Sequence, residues 1–292
     1  MAFTLKINSK GLFRAKGINF GELLNKTGMS FGSENEFHIL TDGELSDNTG
    51  ILFNPKRIGR GIFIDMRNVG NGELTVSYNI PTTAAEIRDF VSVVKEIGNQ
   101  FGKASYYCEE EEREYTLSIL EKNIDNMIAF SVEKLNDFAR NKEFSQLILT
   151  LARFPWYIED EKRSEFMTCR NLDGFEEAVH NHQKDDVHYA KPSLFRSKDD
   201  GRIFALYTMT DDCESIFPID PSCFVGYNNI KIEYAIVNFY DFGKERILEG
   251  TCPYSKFVDF MKQNGAVPFD AEHLRVPGIN IETITKFVDE NR

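Results

Sequence analysis

Residues 180–188 read His-Asn-His-Gln-Lys-Asp-Asp-Val-His and hold three of the chain's five histidines together with two aspartates. Imidazole and carboxylate are the donors that hold zinc and related ions, and a bound ion lowers the pKa of a water molecule enough for hydrolysis near neutral pH. His180, His182, Asp185, Asp186 and His188 are therefore candidate metal ligands, and a metal-dependent hydrolase is one reading of the chain. The spacing argues against it. Asp173 and Glu176, with Phe175, Ala178 and Val179 at helical intervals, predict a short helix near 173–182. His180 and His182 then stand about 200° apart around the helix axis and cannot chelate one ion. A site would need the helix to stop before 180, so that both rings project from one face of an extended segment. The preferred reading is a solvated helix end, with no metal and no other cofactor.

Other motifs fail on context. The zinc patterns H-E-x-x-H and H-x-E-x-x-H are absent, and the H-x-H-x-D-H run of the metallo-β-lactamases would need aspartate at 184 and histidine at 185, where the chain has Lys184 and Asp185. Gly28-Met29-Ser30-Phe31-Gly32 matches G-x-S-x-G formally. Its serine, however, precedes a strand-like segment instead of following one, so a nucleophile elbow is not expected. The segment 98–104, Gly-Asn-Gln-Phe-Gly-Lys-Ala, resembles a phosphate loop but carries Ala104 where a hydroxyl belongs and ends a helix instead of starting one. It reads as a glycine helix stop.

Two features suit contact with another protein. The run Glu109, Glu110, Glu111, Glu112, Arg113, Glu114 concentrates five carboxylates and could face a partner with a basic surface, although acidic residues ahead of a helix also complement its dipole. Trp156, the single tryptophan, lies in Phe154-Pro155-Trp156-Tyr157; it is either an exposed anchor or part of a buried turn, and burial is favoured.

The elements that must position these residues read clearly in places. Ile62, Ile64 and Met66, then Leu74, Val76, Tyr78 and Ile80, alternate as two strands with Asn71-Gly72 between them, a hairpin pattern. Thr83 and Glu86 form a capping-box pair ahead of Ile87, Phe90, Val91, Val94, Ile97 and Phe101, which predicts a helix over about 83–100 with one apolar stripe. A longer helix is expected over about 115–140. The second half repeats this grammar, with strands near 145–151, 187–197, 201–209 and 230–240, a turn at Asp200-Gly201, and short helices near 173–182, 254–263 and 281–290. Strands joined by short turns, with helices in no regular βαβ alternation, indicate an α+β fold with a mainly antiparallel sheet. Two lobes are expected, 1–142 and 143–292, unless a single domain spans both.

The 46 acidic and 34 basic side chains give a net charge of −12, which repels nucleic-acid phosphates. Cysteines 108, 169, 213, 223 and 252 are odd in number and scattered, without C-x-x-C, as expected in a reducing compartment. The opening residues alternate apolar and polar, and no run approaches a membrane span, so the expected location is the cytoplasm. The segments MAFTLKINSKG, KIEYAIVNFYDF and PYSKFVDFMKQNG, with the length of just under 300 residues, resemble an uncharacterised family of Firmicutes proteins. That resemblance implies a bacterial, cytoplasmic protein and carries no catalytic residues over. With no acid, base and nucleophile brought together, the expectation is a non-catalytic protein-interaction module.

Overall fold

Alternation in Ala2–Ser9 sets the architecture. Phe3, Leu5 and Ile7 turn inward from this strand, β1, which becomes an inner member of an eight-stranded sheet. The computed structural model describes residues 1–10, 17–143, 145–222 and 230–291, which form two compact units, Met1–Asp185 and Asp186–Arg292. Cys223 lies outside the described residues.

In the first unit β1 is followed by α1 (Phe20–Thr27), β2 (Ser30–Glu34), β3 (Leu40–Asp42), β4 (Thr49–Phe53), β5 (Ile62–Asp65), β6 (Glu73–Asn79), α2 (Ala84–Phe101), β7 (Ala104–Cys108), β8 (Arg113–Tyr115), α3 (Leu117–Lys122), α4 (Ile124–Arg140), β9 (Leu147–Leu149), β10 (Trp156–Ile158), α5 (Asp160–Phe166) and α6 (Asp173–Gln183). The sheet order is β3-β2-β4-β5-β6-β1-β7-β8, and every neighbouring pair is antiparallel.

The expected hairpin is β5–β6, in register Ile64↔Val76, and Gly72 supplies a positive φ of 78° at the end of a 3-10 turn over Val69–Asn71. Helix α2 lays Ile87, Phe90, Val91, Val94 and Ile97 in one core with Leu5, Ile7, Ile62, Ile64, Val76 and Tyr78. Thr83 caps it by accepting from the Glu86 amide at 3.1 Å. The long helix expected over 115–140 is two helices. Residues 113–115 are taken by β8, and Asn123, at φ −95° and ψ 0°, ends α3 and begins α4. The cut considered near 142 falls inside the first unit, where Leu135 and Ala139 of α4 pack with Leu147, Leu149, Trp156, Phe166, Phe175 and Val179.

The second unit contains β11 (His188–Tyr189), β12 (Ser193–Arg196), β13 (Ile203–Thr210), β14 (Ser215–Pro218), β15 (Tyr234–Asp241), β16 (Arg246–Ile247), β17 (Cys252–Pro253), α7 (Tyr254–Gln263), β18 (Val267–Pro268), β19 (His273–Val276) and α8 (Ile281–Asn291). Two small sheets run β11-β14-β19-β18 and β12-β13-β15-β16, with β17 also on β15. The Gly201 turn joins β12 to β13 at φ 73°. Both sheets contain a parallel pair, β11 with β14 and β13 with β15, so the antiparallel pattern of the first unit does not extend unbroken into the second. Ala205, Tyr207 and Met209 of β13 and Val237 and Phe239 of β15 bury one face in a core with Phe257 and Met261 of α7 and Ile284 and Val288 of α8.

Candidate functional site

Helix α6 runs through both His180 and His182, and each ring has its own structural task. His180 Nδ1 accepts a hydrogen bond from the Ile58 amide at 3.1 Å. The His182 ring packs 5.5 Å from Phe154 and 5.3 Å from Trp156. The carbonyl of Asp185, the last residue of the first unit, accepts from Arg153, while Asp186 and the exposed His188 open the second. Among the described residues no three His, Cys, Asp or Glu side chains are grouped so as to hold a metal ion. A chelator is expected to leave the thermal midpoint unchanged, and added zinc to leave Trp156 fluorescence unchanged. Zinc-dependent quenching that disappears in His182→Ala would establish a metal site there.

The acidic run does not lead into a helix. It forms the turn of the β7–β8 hairpin, with Glu112 at φ 50°, and several of its carboxylates bind within the chain. Glu110 accepts from the Thr4 amide at 2.9 Å, Glu111 accepts from the Tyr115 hydroxyl at 2.8 Å and pairs with Arg113 at 2.6 Å, and Glu109 lies 3.9 Å from Lys6. Trp156 is 3% exposed and donates to Glu159 at 3.2 Å, which makes it a core residue of the first unit.

A concave site with open polar chemistry occurs in the second unit. Strands β13 and β15 lie parallel, pairing Thr210 with Tyr240 at their C-terminal ends, the end of parallel strands outside which ligands commonly sit. There a cleft of about 690 Å³ is lined by Thr210, Asp211, Asp212, Cys213, Tyr240, Phe242 and Gly243.

Its floor is tied down. The Asp211 amide donates to the Tyr240 carbonyl at 3.2 Å, and Asp211 Oδ1 accepts from the Phe242 amide at 2.6 Å. Asp241 Oδ1 accepts from the Lys244 amide at 3.0 Å, closing the 3-10 turn over Phe242–Lys244, and its Oδ2 lies 3.3 Å from Lys244 Nζ. Asp212 sits at φ 50°, its amide donating to the Ile279 carbonyl at 2.9 Å. Gly278 allows that approach: a Cβ there would lie 2.8 Å from the Asp212 carbonyl carbon. Left-handed non-glycine backbone costs on the order of 1 kcal/mol or more and persists where its surroundings enforce it.

The walls pair charge with apolar surface. Asp211 is 8% exposed and lines the cleft, with one oxygen held by the Phe242 amide, while Phe242 is 71% exposed and Ile247 nearby in sequence is 57% exposed. Two carboxylates beside an exposed ring suit a guanidinium or ammonium group, through ion pairing and cation–π attraction. Sequence reasoning missed Asp211, Asp212 and Phe242. The available signal was an Asp-Asp pair beginning two residues after one predicted strand, at 211, and Phe-Gly two residues after another, at 242.

Among the described residues no helix is long and apolar enough to cross a membrane. No curated protein and no solved structure matches the chain. The family described as Domain of unknown function (DUF4299) matches residues 2–287, nearly the whole length, and the chain belongs to that family.

Proposed function

We propose that the chain is a non-catalytic protein-interaction module of the bacterial cytoplasm, whose cleft at the ends of β13 and β15 receives a basic side chain and an adjoining apolar group of a protein partner. The observation that carries this reading is the buried Asp211 carboxylate in a cleft that the exposed Phe242 also lines. A rigid aromatic next to a partly desolvated charge is the composition of an interface hot spot. The net charge of −12, to which Glu109, Glu110, Glu111 and Glu112 contribute, supports steering of a basic partner over the ~8 Å reach of electrostatics at physiological salt. The odd, scattered cysteines support a reducing compartment.

A short blocked peptide containing arginine beside leucine, titrated into isotope-labelled protein, tests the reading. Amide shifts should concentrate at 210–213 and 240–243. Affinity should fall about tenfold or more in Phe242→Ala and weaken in Asp211→Asn, which keeps an oxygen for the Phe242 amide. Shifts confined to other surfaces, or equal affinity for Phe242→Ala, would overturn it.

A further inference from the structure

A second cleft, in the first unit, has the opposite chemistry. It encloses about 220 Å³, and its lining includes Glu34, His38, Arg60 and Thr150, with Ile51 and Phe63 among the apolar residues.

Arg60 is the unusual group. Its Nε donates to the Thr150 carbonyl at 3.0 Å, its Nη2 to the Thr150 hydroxyl at 3.3 Å and its Nη1 to the Pro81 carbonyl at 2.8 Å. All three acceptors are neutral, and among the described residues no carboxylate reaches ion-pair distance of the guanidinium. Arg60 is half-buried, and a cation drawn out of water ordinarily has a paired anion, because desolvating a lone charge is expensive. Here burial pushes the Arg60 pKa down to about 10, which still leaves it charged at neutral pH, and the charge of Glu86 opposes that shift. Glu86 is not a direct partner: its oxygens accept from the Gly61 amide at 2.6 Å and from the Thr82 hydroxyl, and it forms no ion pair with Arg60. Three of the five guanidinium N–H bonds are used, so two remain, enough for both oxygens of one carboxylate.

The same lining supplies one more donor. His38 is held at φ 57°, with Nδ1 2.5 Å from Glu34 Oε1, so Nε2 is the ring atom left for a ligand. The Glu34 hydrogen bond raises the affinity of this ring for its proton. The site is also rigid at its back: a Cβ on Gly61, which has φ 92°, would lie 2.4 Å from Ile51 Cγ2.

We propose that this cleft binds a small apolar carboxylate, with the free N–H bonds of Arg60 on its oxygens, His38 Nε2 as a further donor, and the apolar portion against Ile51 and Phe63. A phosphate dianion fits less well, because Glu34 lines the same space and repels the additional charge. This inference is independent of the cation-binding cleft in the second unit.

Benzoate, N-acetylleucine, N-acetylleucine amide and inorganic phosphate, each titrated into the wild-type protein, decide the matter by the Arg60 Nε–H resonance and by calorimetry. Benzoate or N-acetylleucine should bind and move that resonance, and the amide should not. The tighter of the two acids separates a free organic acid from a peptide C-terminus as the natural source. Phe63→Glu, which adds a carboxylate at a position already 37% exposed, should weaken binding about tenfold or more. Arg60→Gln, which removes the charge, should abolish the preference for acid over amide. No binding by either acid, binding by the amide at equal strength, or a preference for phosphate would overturn the proposal. Because the first readout needs only the wild-type protein, poor folding of a variant does not shield the proposal from test.

Discussion

Val94→Asp should leave no cooperatively folded first unit. Val94 has no exposed surface and belongs to the core in which α2 meets β1, β5 and β6. Helix α2 buries eleven of its residues, from Ala85 to Phe101, so it cannot rotate to bring position 94 to water without burying another polar position. An unpaired carboxylate in that core costs several kcal/mol, comparable with the whole stability of a domain. Val94→Ala, which only deletes methyl groups, should cost about 2 kcal/mol and still fold. Circular dichroism melts check both. A soluble Val94→Asp protein with an unchanged midpoint would mean that α2 does not pack as described.

Glu86→Ala should be nearly as damaging, at about 3 kcal/mol or more, because it strips the acceptor from the buried Gly61 amide and the Thr82 hydroxyl. Glu86→Gln keeps an acceptor and should fold. The pair also separates packing from charge. Burial raises the Glu86 pKa above its ordinary value, so the folded state holds the proton more tightly than the unfolded chain. The stability linked to that proton is fully present below the unfolded carboxylate pKa, and it is lost as pH rises from there through the folded value. Unfolding midpoints in urea, measured from pH 4 upward at intervals of about one unit, should therefore decline less steeply in Glu86→Gln than in wild type. Parallel profiles would show that Glu86 ionises in the fold without penalty.

Glu86 also shows how far local pattern reaches. Thr83-x-x-Glu86 marks the start of α2, and Thr83 does cap it, but the glutamate side chain turns into the protein to brace residues 59–61 instead of reaching back to its own cap. Periodicity located α2, the β5–β6 pair and helices α6, α7 and α8, because one buried face repeating at 3.6 or 2 residues is written into adjacent positions. Strands β2 and β4 carry glycines at crowded places: a Cβ on Gly32 would lie 2.4 Å from the Thr41 carbonyl oxygen, and one on Gly50 would lie 2.6 Å from Leu45 Cδ2. The glycines are there for close strand approach, a long-range requirement with no local signature. The same holds for both clefts. Asp211 meets Phe242 only because β13 pairs parallel with β15, and Arg60 meets Thr150 across ninety residues of sequence.

The acidic hairpin has a bearing on how the molecule avoids its own copies. Strand β8 is an outer strand of the eight-stranded sheet, short and three residues long, and the turn beside it carries Glu109, Glu110, Glu111 and Glu112, with Glu114 on the strand itself. An outer strand offers unpaired backbone N–H and C=O groups on which another chain can add a strand. A second copy pairing antiparallel about the middle of β8 would set Glu114 directly opposite Glu114, and like charges facing each other across a strand pair are destabilising. Brevity and repulsion at β8 together make edge-to-edge growth unfavourable there, and the sheet stops at eight strands on that side.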